Sequence, residues 1–304
     1  MTALSTPNRP ALKVAVAQTR ARPGDVAHNV AEAASMIGRA ADAGARVVLF
    51  PELSLTGYEP GWLKASLPAC AVDPDGPELD PIRSACRSTG VTAVVGTPTV
   101  SGRKSAISAL AIAGDGRTVA DYRKHHLEAH ERELFSPGRE SRTVTVDGWR
   151  LAVGICYDAS FPEHARAAAL GGADAYLCGG AFVRGDSDHR RSVYFPVRAL
   201  ENTFYVLFAN FVGRQGPWEF CGGSAIYGPD GRPLATAGAS DAALVVAELD
   251  DAVLAGTRDR LTMLRDAQEE ETSRSRPTEQ VMPGCSTVRT SCLVGVELSG
   301  HLFE

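Results

Sequence analysis

LKVAVAQTRARPGDVAHNVAEAASMIGRAADAGARVVLF, residues 12–50, holds the change of period that decides the fold class. At its start Leu12, Val14 and Val16 alternate with Lys13, Ala15 and Ala17, the pattern of a strand with one face more buried than the other. From Val26 the spacing lengthens. Val26, Val30, Ala33, Ala34, Ile37 and Ala41 recur at helical intervals, with Asp25 placed to cap the start and Gly44 to stop the end. Residues 46–50 are a short apolar run of strand type. Strand, helix and strand in succession mark a chain that alternates sheet and helix layers.

The same alternation continues outward. A helix over 81–89 and a strand over 92–95 form a second unit. Residues 105–113 and 118–122, around Gly114-Asp115-Gly116, read as a hairpin, and residues 143–146 and 150–155, around Asp147-Gly148, as another. Helices over 163–170 and 190–201 then separate strands at 175–178 and 204–209. Late strands follow at 225–227, 233–235 and 244–249, and a final helix at 251–264. The pattern is α/β with mixed sheets. No repeat and no linker interrupts it before Arg265. The division expected is a disordered N-terminus (1–10), one domain (11–266) and a C-terminal extension (267–304). In that extension a polar stretch precedes an apolar run, 288–298, expected to dock on its own or a neighbouring subunit.

Composition excludes several function classes. The chain has 304 residues, a formal net charge of -5 and no basic cluster beyond Arg190-Arg191, which argues against nucleic-acid binding. No apolar run approaches the roughly 20 residues of a membrane span. The first ten residues are polar and lack the apolar centre of an export signal, so a cytoplasmic protein with reduced thiols is expected. The seven cysteines are Cys70, Cys86, Cys156, Cys178, Cys221, Cys285 and Cys292, with no CxxC pair among them. His125, His126 and His130 crowd one stretch, which raises a metal site as an alternative.

Three stretches each end on a reactive side chain: Phe50-Pro51-Glu52, Tyr122-Arg123-Lys124 and Gly154-Ile155-Cys156-Tyr157-Asp158. A carboxylate, an ammonium and a thiol past strand-like runs are the parts for thiol-mediated acyl transfer. Glu52, at a buried strand end, is expected to have a raised pKa and to act as base. Lys124 can steady an oxyanion. Cys156 leaves a strand just before Phe161-Pro162-Glu163 opens a helix. The nearby helix N-terminus is expected to stabilise its thiolate.

These blocks, extended to residues 50–58, 122–127 and 156–163, resemble the signature blocks of the nitrilase (carbon–nitrogen hydrolase) superfamily. Pro23-Gly24-Asp25, Phe135-Ser136-Pro137-Gly138, Arg198-Ala199-Leu200-Glu201-Asn202, Gly223-Ser224-Ala225-Ile226 and Pro229-Asp230-Gly231 add to the resemblance, which spans residues 12–266. It implies a four-layer α-β-β-α sandwich with two mixed sheets. It also implies Glu52 as base, Cys156 as nucleophile, and Lys124 with the Tyr157 backbone N–H as oxyanion donors. A second, orienting glutamate falls by family spacing on Glu131, with Glu128 and Glu133 as competitors. No cofactor and no metal is implied, and the block around Lys124 accounts for the histidines.

Cys156-Tyr157-Asp158 looks like the amidase and carbamoyl-amine branches. The activity expected is hydrolysis of a small carboxamide through a cysteine thioester, releasing ammonia and a carboxylate. Hydrolysis of an N-carbamoyl amine, then of a nitrile, are the alternatives, and a catalytically silent binding protein is the reading from another class. Family members often have Arg where this chain has Ser160. Tyr58, Tyr157 and Phe182 are the expected substrate contacts, with Glu59, Trp62 and Trp218 as further candidates. The resemblance also implies a homodimer or larger even-numbered oligomer, here through the alanine-rich helix 165–170 and the chain end.

Overall fold

The computed structural model of the chain describes residues 9–101 and 104–274. Strands β1 (Leu12–Gln18), β2 (Val47–Leu49), β3 (Thr92–Ser101), β4 (Lys104–Ile112) and β5 (Thr118–Arg123) make most of a first sheet. A second sheet holds β6 (Thr143–Val146), β7 (Trp149–Ile155), β8 (Ala175–Gly179) and β9 (Tyr205–Ala209). The hairpin β10 (Val212–Gln215) and β11 (Trp218–Cys221) stands apart. Then β12 (Ala225–Tyr227) and β13 (Pro233–Thr236) complete the second sheet, and β14 (Ala243–Leu249) returns to the first. The strand orders are β14-β1-β2-β3-β4-β5 and β13-β12-β9-β8-β7-β6. In each sheet three central strands run parallel and the flanking ones antiparallel, so both sheets are mixed.

Helices α1 (Val26–Asp42) and α3 (Asp80–Thr89) cover the first sheet, with the short α2 (Pro60–Ser66) between them in sequence. On the second sheet α5 (Asp186–Asn202) packs against β9 and β12, with α4 (Pro162–Leu170) beside it. The four-layer sandwich is therefore present. β1 shows why the chain adopts it. Both of its faces are covered: every residue is buried but Lys13, on the less apolar face. Leu12, Val14 and Val16 join the core between the sheets, while the smaller Ala15 and Ala17 face the α1 side. Each buried Val or Leu contributes about 1.5–3 kcal/mol. On α1, Val30, Ala33 and Ile37 are buried as the spacing predicts, joined by Met36 and Ala40, and Asp25 accepts from the His28 N–H.

Three expectations change. The N-terminal boundary moves: Arg9 bridges Asp174 and Asp251 and lies 4.3 Å over the Trp149 ring, and Trp149 Nε1 donates to the Pro10 carbonyl at 3.0 Å. The final helix is two helices, α6 (Asp251–Arg260) and α7 (Met263–Arg274). Leu261 between them is extended, and the Thr262 hydroxyl donates to Asp266 at 2.9 Å in the first turn of α7. The start of the extension, 267–274, thus continues a helix, while the run 288–298 lies outside the described residues. On α4, Ala165 and Ala169 are buried inside the subunit and Ala167 is exposed, while α5 carries the exposed Val193, Val197 and Leu200. Among the described residues no helix is long and apolar enough to cross a membrane.

Candidate active site

The reactive side chains sit where strand ends of the two sheets converge. Pro51, without an N–H, carries the chain off β2 and delivers Glu52. β5 ends into Lys124, and the Glu52 and Lys124 side chains are both fully buried. Two glycines allow this convergence. A Cβ on Gly96 would lie 2.4 Å from Leu53 N and from the Pro51 carbonyl, and one on Gly179 would lie 2.6 Å from the Phe50 carbonyl. Residues 50–53 can pass between β3 and β8 only because neither neighbour carries a side chain there.

Lys124 Nζ donates to Glu52 Oε1 at 2.8 Å and to the two Glu131 oxygens at 2.7 and 2.9 Å. Glu131 is fixed in turn by Tyr58 Oη, which donates to Oε1 at 2.5 Å, and by the Glu128 N–H, which donates to Oε2 at 2.8 Å. Of the three competing glutamates, Glu131 is the one that reaches Lys124. Glu128 stands on a cavity wall, and Glu133 is exposed, 3.8 Å from Lys64.

Cys156 begins a short 3-10 turn, Cys156–Ser160, with φ at +44°, a left-handed backbone that few non-glycine residues adopt. Asp158 holds this turn. It accepts from the Ile155 N–H at 3.0 Å, from Tyr122 Oη at 2.6 Å and from the His126 N–H at 2.9 Å. His126 Nδ1 lies 2.9 Å from the same carboxylate, and His164 bridges the hydroxyls of Tyr122 and Tyr176. From α5, Arg198 Nε donates to the Ala159 carbonyl at 3.0 Å. Sequence reasoning used Asp158 only to separate branches and missed this bracing, which depends on pairing residues far apart in the chain.

Burial sets the proton affinities. It pushes the Glu52 carboxyl up to about 8, against the pull of Lys124, and leaves Glu52 Oε2 buried without a hydrogen-bond partner. Lys124 is penalised by burial too, but Glu52 and Glu131 overcome this and hold its pKa well above the ordinary value. Cys156 is pushed well above the usual thiol range, by burial first and then by the Glu52 charge. The expected thiolate stabilisation by a helix is therefore overturned. The turn after Cys156 is a single 3-10 turn, α4 starts only at Pro162, and desolvation outweighs what dipoles remain. The thiol keeps its proton until a base takes it, and Glu52 is buried beside it.

Cys156 lines a cavity of ≈ 220 Å³ walled by Tyr58, Tyr157, Phe182 and Trp218. Ser160 is on this wall as well. Glu59 and Trp62 are elsewhere: Glu59 caps α2 by accepting from the Gly61 and Trp62 N–H groups, and Trp62 packs beside Gly24. The sequence reading missed Ser187 and Arg190, which α5 brings to the cavity. Arg190-Arg191 was visible as a basic pair, but nothing local shows which of the two reaches the cavity rim; it is the exposed Arg190.

The chain matches the Carbon-nitrogen hydrolase family model over residues 13–259. It is 35% identical over 255 residues to the "Hydrolase in pqqF 5'region" of Pseudomonas protegens, covering 83% of this chain and 84% of that one. It is 33% identical over 255 residues to the (R)-stereoselective amidase of a Pseudomonas species, covering 82% and 89%. Among solved structures, a mutant of the amidase from Nesterenkonia sp. AN1 has 31% identity and a TM-score of 0.75, with 86% of this chain and 96% of that chain covered. That structure shows covalent addition of the acetamide moiety of fluoroacetamide at the active site cysteine. With the sandwich, the buried ammonium between two carboxylates and the cysteine at the cavity in place, this chain belongs to the carbon–nitrogen hydrolase family of the nitrilase superfamily, among its amidase-like members.

Proposed function

We propose that the chain hydrolyses the C–N bond of a small carboxamide through a thioester on Cys156. Glu52 takes the thiol proton while the sulfur attacks the amide carbonyl carbon. Lys124 Nζ and the Tyr157 N–H, one of the first-turn donors a helix leaves without an internal partner, receive the oxyanion. As the tetrahedral adduct collapses, Glu52 returns the proton to the leaving nitrogen and ammonia departs. Water then attacks the thioester with Glu52 again as base, and the carboxylate leaves with Cys156 restored. Glu131 holds Lys124 in place. Tyr58, Tyr157 and Phe182 flank the substrate.

The observation that carries this reading is a buried Glu52 carboxyl, with a pKa of about 8 and Oε2 unpartnered, in the same buried cluster as Lys124 and the thiol that lines the cavity. A base poised near neutrality is what a protonated nucleophile requires. The cavity, equivalent to roughly seven waters at ~30 Å³ each, suits a small substrate. A panel of amides, nitriles and N-carbamoyl amines tests the reading. Ammonia release from amides supports it, and turnover of nitriles or N-carbamoyl amines without amides overturns it.

We also propose a homodimer or larger even-numbered assembly in a reducing, cytoplasmic setting. Val193, Val197 and Leu200 form an exposed stripe on α5, 43%, 39% and 42% accessible, with the spacing of one helix face. Light scattering that finds a monomer at micromolar concentration would refute the assembly.

A further inference from the structure

Two charged side chains line the cavity, Glu128 and Arg190. The other arginines of α5 are engaged: Arg191 with Asp188 and the Gly223 carbonyl, Arg198 with Glu201 and the Ala159 carbonyl. Arg184, just before the helix, pairs with Glu219 at 2.7 Å. Arg190 has no hydrogen bond or ion pair to any described residue. Its nearest acidic neighbours in sequence do not take it, since Asp188 holds Arg191 and Asp186 makes no bond to it. Arg190 is solvent-exposed at the cavity rim, and a guanidinium there with no protein partner is a site for a planar anion, because its fork of N–H groups matches a carboxylate in two places.

We propose that Arg190 anchors a carboxylate at the end of the substrate remote from the reacting amide. The preferred substrate is then a monoamide of a short dicarboxylic acid. This rests on the amidase reading and narrows it. The hydroxyls of Ser160 and Ser187, on the same wall, can donate to the carboxylate oxygens that Arg190 leaves open. Phe182 and Trp218 flank a short apolar stem. Glu128, 3.6 Å from His130 Nδ1, places negative charge on the wall and so directs the anion to Arg190. Arg stays charged at every working pH, so this preference persists across the pH range in which the enzyme is active.

The test compares succinamate with 4-methylpentanamide, a neutral amide in which two methyl groups replace the carboxylate oxygens. The wild-type enzyme is expected to favour succinamate in kcat/KM by about tenfold or more, with a preference that weakens as salt is raised. Arg190→Gln is expected to cut the ratio of the two kcat/KM values by about tenfold, chiefly through the KM of succinamate, and Arg190→Lys to restore part of it. Circular dichroism checks the variants' folds, and the wild-type ratio and its salt dependence need no variant. Equal turnover of both amides by the wild type, or an unchanged ratio in Arg190→Gln, overturns the anchor and leaves the amidase reading standing. Turnover of neither amide overturns both.

Discussion

Glu131→Gln removes a charge while keeping the side chain's size, and turns one of two oxygens that each accept from Lys124 and a second donor into an NH2. Glu131 and Glu52 both place an oxygen within 2.8 Å of Lys124 Nζ, so these oxygens are at most about 5.6 Å apart. At an effective dielectric of about 20, two like charges at that distance repel by about 3 kcal/mol, or about 2 pKa units. The negative charge of Glu131 is one cause of the raised Glu52 pKa of about 8. Removing it lets Glu52 ionise more easily, so its pKa falls. A base acts when deprotonated, and the acidic limb of kcat/KM against pH reports that ionisation in the free enzyme. The limb should therefore move to lower pH by up to about 2 units, toward about 6. The plateau above it should drop as well, since Glu52 becomes a weaker base and Lys124 loses a partner. The assay is ammonia release from one amide between pH 5 and 9.5. A limb that stays in place or moves to higher pH would refute the coupling of these three buried charges.

Lys124→Ala should lower turnover on the order of 10²-fold or more, as loss of an oxyanion donor does, whereas Glu128→Gln should have a mild effect. A near-normal rate for Lys124→Ala, measured with the same ammonia assay, would remove Lys124 from the mechanism. Asp158→Asn should destabilise the fold by about 2 kcal/mol, because its amide NH2 must face N–H or O–H donors on one side, and a thermal melt should show a loss of about 3 °C for a chain of this length. An unchanged Tm would mean that the bracing of the Cys156 turn is unimportant to stability. Gly179→Ala should cost about 1–3 kcal/mol, since its Cβ would lie 2.6 Å from the Phe50 carbonyl, and denaturant unfolding measures this. A neutral result there would show that residues 50–53 can shift without penalty.

Glu52, Lys124 and Cys156 were legible because each follows a short apolar run, a local pattern that survives without knowledge of the fold. Glu131 followed from its family spacing to Gly138. The features that escaped reading are those set by partners far along the chain. The carboxylate of Asp158 looks like any polar residue after a strand until β5 and β7 bring Tyr122 and His126 to it. Arg190 differs from Arg191 by a single position, about 100° around the helix axis, and the direction of α5 decides which one meets the cavity. The break at Leu261 has no glycine or proline to announce it. α2 is short and buries only Leu63, so no periodicity marked it. The thiolate expectation failed for an energetic reason: dipoles near Cys156 were counted and desolvation was not.

The central claim is that Cys156 carries the acyl group. Acid quench of the enzyme during turnover of a small amide, followed by intact-mass spectrometry and peptide mapping, tests it most directly. The account predicts a mass increase of one acyl group on the peptide containing Cys156, absent from Cys156→Ala, which should release no ammonia. An acyl group on any other residue, or continued amide hydrolysis by Cys156→Ala, would contradict it.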